Sequence, residues 1–271
     1  MTQKPSILVF DSGLGGLTVF RAVAAARPDA HFAYLADDAG FPYGPLPPDV
    51  LVSRVMEVVS DAVARFAPDL VVIACNTAST LVLPPLRAKF PDLPFVGTVP
   101  AIKPAAATSR SKRITVLATP GTVARDYTRG LIAAHAVDCA VTLVGSPTLA
   151  PLAEDFLRDV RIDEDAVAEA IAPCFVECDG ARTDAVVLAC THYPLLLDLF
   201  RRHAPWSVSW IDPAPAIARR VVSLIGEAPA FALPGLRRAH FTSGAMPDAA
   251  LCAALGRFGL DCESEHRALC A

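Results

Sequence analysis

The chain reads as an α/β protein of two pseudo-symmetric domains, each a mostly parallel sheet flanked by helices. The first observation is a set of short β-branched runs: Ile7 to Phe10, Phe32 to Leu35, Leu70 to Ile73, Ile114 to Leu117, Val141 to Val144 and Ala185 to Leu188. They are continuous rather than alternating, as expected of strands covered on both faces. The second is the helical spacing between them. Val55, Val58, Val59, Ala62, Val63 and Phe66 recur at three and four residues, with Arg54, Glu57, Asp61 and Arg65 on other faces. Strand alternating with helix implies a parallel sheet with helices on both sides.

The third observation is an internal echo. Leu70 through Ala78 parallels Ala185 through Tyr193, so that Cys75-Asn76-Thr77 and Cys190-Thr191-His192 end equivalent strands. A weaker echo pairs Ile7 through Gly13 with Ile114 through Gly121, which sets Thr119 near the end of the later strand. Resemblance between buried strands explains the Val, Ile and Leu positions, but not two polar triplets that each open with cysteine. The expectation is therefore two copies of one unit. The chain crosses near Phe95 to Pro100 and returns near Trp210 to Pro213, giving residues 1–99 plus 212–271 as one domain and 100–211 as the other.

Composition narrows the function. In 271 residues, 24 Lys and Arg stand against 28 Asp and Glu, a formal charge of −4. Nucleic-acid binders need a basic stripe, and none is present. Charged residues make up 19% and apolar residues 53%, too apolar for a disordered chain. No run approaches the ~18 apolar residues of a membrane span. The first apolar run stops at Asp11, too early for a signal peptide. A cytoplasmic protein with a small-molecule partner is expected. Its eight cysteines would then be reduced. Cys174 and Cys178, one helical turn apart, read as two small buried hydrophobes, and Cys139, Cys252, Cys262 and Cys270 receive no role.

In parallel sheets, ligands bind at the carboxyl ends of strands. A cysteine there, opening a helix, meets backbone N–H groups and a dipole that lower its thiol pKa. Two such thiols on opposed domains suit a reaction that removes a proton from one face of a carbon and returns one to the other. Asn76, Thr77 and Thr191 offer donors for a carboxylate. The glycine-rich turn Asp11 to Gly16 lets backbone approach a ligand, and the helix start at Leu17-Thr18 favours an anion. Asp11 suits a substrate ammonium, Pro42-Tyr43-Gly44 a closing loop, and His192 a proton relay to Cys190.

Competing chemistries fit less well. Gly13-x-Gly15-x-x-Thr18 lacks the third glycine of a dinucleotide turn, although Asp37 and Asp38 lie at a distance suited to a ribose. Cys75, Cys190 and His192 make an incomplete zinc set. Pyridoxal chemistry needs a lysine, and Lys4, Lys89, Lys103 and Lys112 all lie away from strand ends. Cys190 with His192 makes a poor hydrolase pair at two-residue spacing. Neither a cofactor nor a metal is expected.

Four motifs stand in order: Phe10 to Thr18, Pro42-Tyr43-Gly44, Ala74 to Ala78 and Cys190 to Pro194. Together they resemble the glutamate racemases of the aspartate/glutamate racemase superfamily, over Pro5 to at least Asp212. The resemblance implies two α/β domains and cofactor-independent interconversion of L- and D-glutamate, the latter for bacterial peptidoglycan. It implies Cys75 and Cys190 as the two acid/base thiols, the first acting on the D-enantiomer and the second on the L-enantiomer. It makes Asp11, Ser12, Tyr43, Gly44, Asn76, Thr77, Thr191 and His192 substrate-binding, joined by Pro42 of the same loop and Thr119 of the echo. Asp11 and His192 also assist proton transfer, and Glu154, in the segment Pro147 to Glu154, matches a family glutamate. The second cysteine motif usually follows glycine, where this chain has Ala189. Aspartate racemases share the two-cysteine logic, so aspartate stays open as a substrate, as do a non-catalytic carboxylate or amino-acid binder and a homodimer.

Overall fold

The computed structural model describes residues 4–262. Cys270 and the outer ends of the 1–99 and 212–271 segments lie outside the described residues. Eleven strands are present among the described residues: β1 (Ser6–Asp11), β2 (His31–Ala36), β3 (Leu70–Ile73), β4 (Phe95–Gly97), β5 (Arg113–Ala118), β6 (Ala140–Gly145), β7 (Glu177–Cys178), β8 (Ala181–Arg182), β9 (Ala185–Ala189), β10 (Ser209–Ile211) and β11 (Arg237–Phe241). Between them run α1 (Leu17–Ala26), α2 (Pro48–Phe66), α3 (Asn76–Lys89), α4 (Ile102–Thr108), α5 (Pro120–Val123), α6 (Asp126–His135), α7 (Leu149–Leu157), α8 (Glu164–Ile171), α9 (Leu197–His203), α10 (Ala214–Ile225) and α11 (Ala249–Arg257).

Two parallel sheets carry the architecture. The first has the order β11-β2-β1-β3-β4 and the second β10-β9-β5-β6, while β7 and β8 make a small antiparallel hairpin. Read from the strand beside the central one, β2-β1-β3-β4 and β6-β5-β9-β10 are the same order. The strands ending in Cys75 and Cys190, β3 and β9, therefore hold equivalent places. Each pairs with its neighbour in register, Phe10 with Ile73 and Ala118 with Ala189.

Side chains alternate across each strand into two cores per sheet. Ile7 and Val9 of β1 pack with Phe20 and Val23 of α1, Val221 of α10 and Leu255 of α11. Leu8 and Phe10 pack against Leu51, Val55 and Val59 of α2 and Leu86 of α3. In the second sheet, Val186 and Leu188 meet α7, α8 and α9. Val187 and Ala189 meet Ile102 and Ala105 of α4. Burying a side chain of this size is worth roughly 1.5–3 kcal/mol, so the paired cores hold each sheet between helices. On α2, Val55, Val59 and Ala62 are buried, with Val58, Val63 and Phe66 partly so.

Three expectations change. The run Val141 to Val144 belongs to β6, an edge strand on which only Val144 is buried, so it is not covered on both faces. Cys174 is buried, but Cys178 is exposed on the β7–β8 hairpin and lies on no helix. Cys252 of α11 and Cys262 are joined in a disulfide, so the cysteines are not all reduced. Closing that loop ties the first turn of α11 to the backbone that extends the first sheet, where Asp261 bridges Arg238 of β11.

Candidate active site

β3 runs directly into α3, with Cys75 in extended conformation as the residue before the first helical turn. β9 ends at Ala189, and Cys190, Thr191 and His192 follow before a 3-10 turn at Tyr193–Leu196. The two strand ends meet at one narrow cavity of about 20 Å³. Cys75, Asn76 and Thr77 line it from one half and Cys190, Thr191 and His192 from the other. Ser12, Phe41 to Gly44, Thr119 and Ala150 complete the walls. Phe41 and Ala150 were missed in the sequence; Phe41 adjoins the Pro42 motif, whereas nothing marks Ala150. Asp11 and Glu154 stand behind the wall rather than in it.

The first thiol sits among acidic groups. Burial and the Asp11 carboxylate push the Cys75 thiol well up, outweighing the Ala78 N–H at the α3 start and the Ser12 hydroxyl, whose oxygen lies 3.7 Å from the sulfur. The expected lowering at a strand end does not occur here, because desolvation exceeds the pull of the helix N-terminus. Asp11 is itself fully buried, and burial raises its carboxyl while the nearby His192 opposes the rise. Its Oδ2 accepts from Gly16 N–H at 2.6 Å, whereas Oδ1 has no partner among the described residues. Both amide atoms of Asn76 are likewise buried and unpartnered. Buried polar atoms of this kind are rare without a ligand or water to satisfy them.

The second thiol has a basic neighbour. His192 Nδ1 lies 3.8 Å from Cys190 Sγ, and Nε2 lies 2.8 Å from Glu154 Oε1. Burial, the largest influence on His192, disfavours its charge. Hydrogen bonds to Cys190 and Glu154 nevertheless raise it well above the ordinary imidazole range. A cation at His192 donates from both ring nitrogens, toward the sulfur and toward the carboxylate. The two-residue spacing of Cys190 and His192 thus does bring them together.

The glycine-rich turn differs from its expected use. Gly16 N–H binds Asp11, Leu14 N–H donates to Glu154 Oε1 at 2.6 Å, and Gly15 N–H lies 3.2 Å from His192 Nε2. These donors face protein carboxylates and a ring, not the cavity, and the anion at the start of α1 is the side chain of Asp11. Tyr43 faces the cavity but its hydroxyl donates to Asp37 Oδ2. Asp37 is fully buried, gripped by two Arg54 bonds of 2.6 Å and by Thr242, so it has no capacity left for a ribose. Thr77, Thr119 and the unanticipated Thr122 form a triangle of hydroxyls at 3.0, 3.3 and 3.1 Å between the halves. Among the described residues, no group of three or more His, Cys, Asp or Glu is arranged to hold a metal ion. No helix there is long and apolar enough to cross a membrane.

The chain is similar to known proteins over most of its length. The model of the Asp/Glu/Hydantoin racemase family matches residues 18–221. A glutamate racemase of Brucella anthropi is 60% identical over 223 residues, covering 82% of this chain and 80% of its own. One from Sinorhizobium fredii is 53% identical over 264 residues, 97% of this chain and 98% of its own. Among solved structures, Escherichia coli glutamate racemase, crystallised with L-glutamate and the activator UDP-MurNAc-ala, superposes with a TM-score of 0.84 at 39% identity. It covers 96% of this chain and 97% of that one. With the family model matching well over half its length and such relatives across nearly all of it, the chain belongs to the Asp/Glu/Hydantoin racemase family.

Proposed function

We propose that this chain interconverts L- and D-glutamate without a cofactor, using Cys75 and Cys190 as the two acid/base groups. The observation that carries the reading is that both thiols line one cavity from equivalent strand ends of two like-ordered sheets. Glutamate, rather than another amino acid, is supported by the relatives that bear that activity in their names.

The reaction needs one proton off and one proton on. From L-glutamate, the Cys190 sulfur takes the α-proton while the Cys75 thiol gives its own to the opposite face; from D-glutamate the roles exchange. The α-proton is a far weaker acid than a thiol, so the site must stabilise the negative charge that develops on the α-carboxylate. The unpartnered Asn76 amide and the Thr77 and Thr191 backbone at the strand ends are suited to that. The raised Cys75 thiol suits it to be the donor, and His192 keeps a proton at Nδ1 facing Cys190. Asp11, with one free buried oxygen, is suited to a substrate ammonium or to returning a proton to Cys75. Glu154 acts through His192 and is a positioning residue. Ser12, Pro42, Tyr43, Gly44 and Thr119 complete the binding walls.

The proposal extends to a cytoplasmic enzyme supplying D-glutamate for peptidoglycan, to a division of the chain at 1–99 plus 212–271 and 100–211, and to a homodimer, which sedimentation would test. For the activity, the purified chain is incubated with L-glutamate and, separately, L-aspartate in chelator, and optical rotation is followed. Loss of rotation with glutamate alone supports the reading. Loss with aspartate alone makes the chain an aspartate racemase, and binding without loss of rotation makes it a non-catalytic carboxylate binder.

A further inference from the structure

The glycine-rich turn between β1 and α1 spends its donors on the opposite half of the molecule. A Cβ on Gly15 would sit 2.4 Å from His192 Nδ1 and 2.6 Å from its Cγ, so the imidazole lies directly against the Gly15 α-carbon. A Cβ on Gly13 would sit 2.4 Å from Glu154 Oε1, the atom that also receives Leu14 N–H. Two residues into α1, the buried Thr18 hydroxyl lies 3.1 Å from the carbonyl oxygen of Thr191, the residue between Cys190 and His192, and 3.0 Å from that of Gly15. One short segment of the first half therefore touches Glu154, His192 and the backbone that carries Cys190.

We infer that the segment Gly13–Thr18 is the positioning frame for proton transfer at Cys190, with Gly15 and Thr18 as positioning residues that hold the His192 ring and its backbone from across the cleft. The contacts serve both protonation states of the ring. As a cation, His192 donates Nε2–H to Glu154; as a neutral ring with its proton on Nδ1, its Nε2 accepts from Gly15 N–H. In both states the ring keeps its place with Nδ1–H toward Cys190, and the proton gained or lost is the one on Nε2. The frame and the pair belong to different halves, so separating the halves removes the support for His192, and Cys190 is fully equipped only when the cleft is closed. The hydroxyl beside the Cys75 sulfur, that of Ser12, lies in the same half, and across the cleft Thr119 and Thr122 meet the hydroxyl of Thr77 rather than a ring that touches the thiol.

This inference rests on the two-thiol reading, and its test separates the two. The enantiomers are equally stable, so any variant must lower kcat/KM by the same factor in both directions. The direction-specific readout on kcat/KM is therefore the isotope effect. Thr18→Val removes the hydroxyl at nearly constant shape, and Thr18→Ser restores it. Gly15→Ala forces the ring to move, and a displacement of that kind costs on the order of 100-fold in rate. With α-deuterated substrates, the deuterium effect on kcat/KM should rise for L-glutamate, where Cys190 takes the label. It should fall toward unity for D-glutamate, where Cys75 takes it. Thr18→Val should shift both in these directions and Thr18→Ser should return them to the wild-type values, so the result stands even if Gly15→Ala does not fold. Slower turnover with both isotope effects unchanged, or equal changes in both, would overturn the inference. If the wild-type chain itself shows no isotope effect and no exchange with solvent, the two-thiol reading fails instead.

Discussion

Glu154 Oε1 and His192 Nε2 are 2.8 Å apart, a carboxylate behind the cavity wall and an imidazole in it, from different elements, α7 and the turn after β9. His192 is raised above its ordinary 6.5 partly by this contact. A histidine raised on folding contributes stability that is complete below about 6.5 and is lost as pH rises through the folded value. Glu154→Gln lowers that folded value. In urea unfolding over a pH series, the loss should therefore begin near the same pH in both proteins but be smaller, and end at lower pH, in the variant. Racemisation should fall by about tenfold without being abolished, since Glu154 acts through His192. Identical pH–stability curves would refute the coupling.

Asp11 gives the opposite kind of effect. Its carboxyl is raised by burial, so ionised Asp11 costs the fold free energy. The folded state holds the proton more tightly than the unfolded chain, and stability falls as pH climbs from about 3.8 through the folded value. Asp11→Asn removes the charge. It should stabilise the chain by on the order of 1 kcal/mol at neutral pH while activity drops sharply. The stability gain, read as a urea midpoint, should shrink as pH is lowered; a gain that does not change with pH would contradict it.

Much of this was legible in the sequence, and what was not has physical reasons. β1, β3, β5 and β9 are buried on both faces, so each betrays itself as a continuous run of β-branched and apolar residues, which in β5 includes the buried Thr115. The edge strand β11 reads Arg-Arg-Ala-His-Phe with no fully buried residue, and an alternation of partly exposed side chains gives no such signal. Polar triplets at β3 and β9 located both thiols, because polar residues at the ends of apolar strands have little structural reason to be there. The job of the glycine turn was not legible. A close approach of backbone is encoded by glycine, but whether it admits a ligand or the His192 ring depends on a segment far away in the chain. The Cys252–Cys262 bond was missed for a related reason: ten residues separate them, and only the turn after α11 brings them together.

Asp37 is fully buried and holds Tyr43, Arg54 and Thr242, which fixes the loop that lines the cavity at Phe41 to Gly44. Arg54→Ala leaves that carboxylate without its cation. The cost should be about 2 kcal/mol, less than for a fully buried pair because the Arg54 side chain is 32% exposed. KM for glutamate should rise several-fold as the loop loosens. An unchanged urea midpoint with unchanged KM would show that the network does not hold the loop.

Cys252 and Cys262 close a loop of ten residues in sequence separation, and neither lines the cavity. Cys252→Ser should lower stability by about 2–3 kcal/mol while racemisation at 25 °C stays near the wild-type rate. A reductant should lower the Tm of the wild type but not that of the variant. Equal responses to reductant would mean that the bond does not form in solution.

The central claim is that two different thiols serve the two faces of one carbon. It is tested most directly by single-turnover racemisation in deuterium oxide, started separately from protiated L- and D-glutamate, with the label in product and in recovered substrate read by mass spectrometry. If Cys190 removes the proton of L-glutamate and Cys75 supplies its replacement, the D-product carries solvent deuterium almost completely while recovered L-glutamate stays protiated. The mirror result holds from D-glutamate. Cys75→Ser and Cys190→Ser should each abolish the conversion. Product that keeps the substrate's own proton, or wild-type-like turnover in either serine variant, would contradict the two-thiol mechanism.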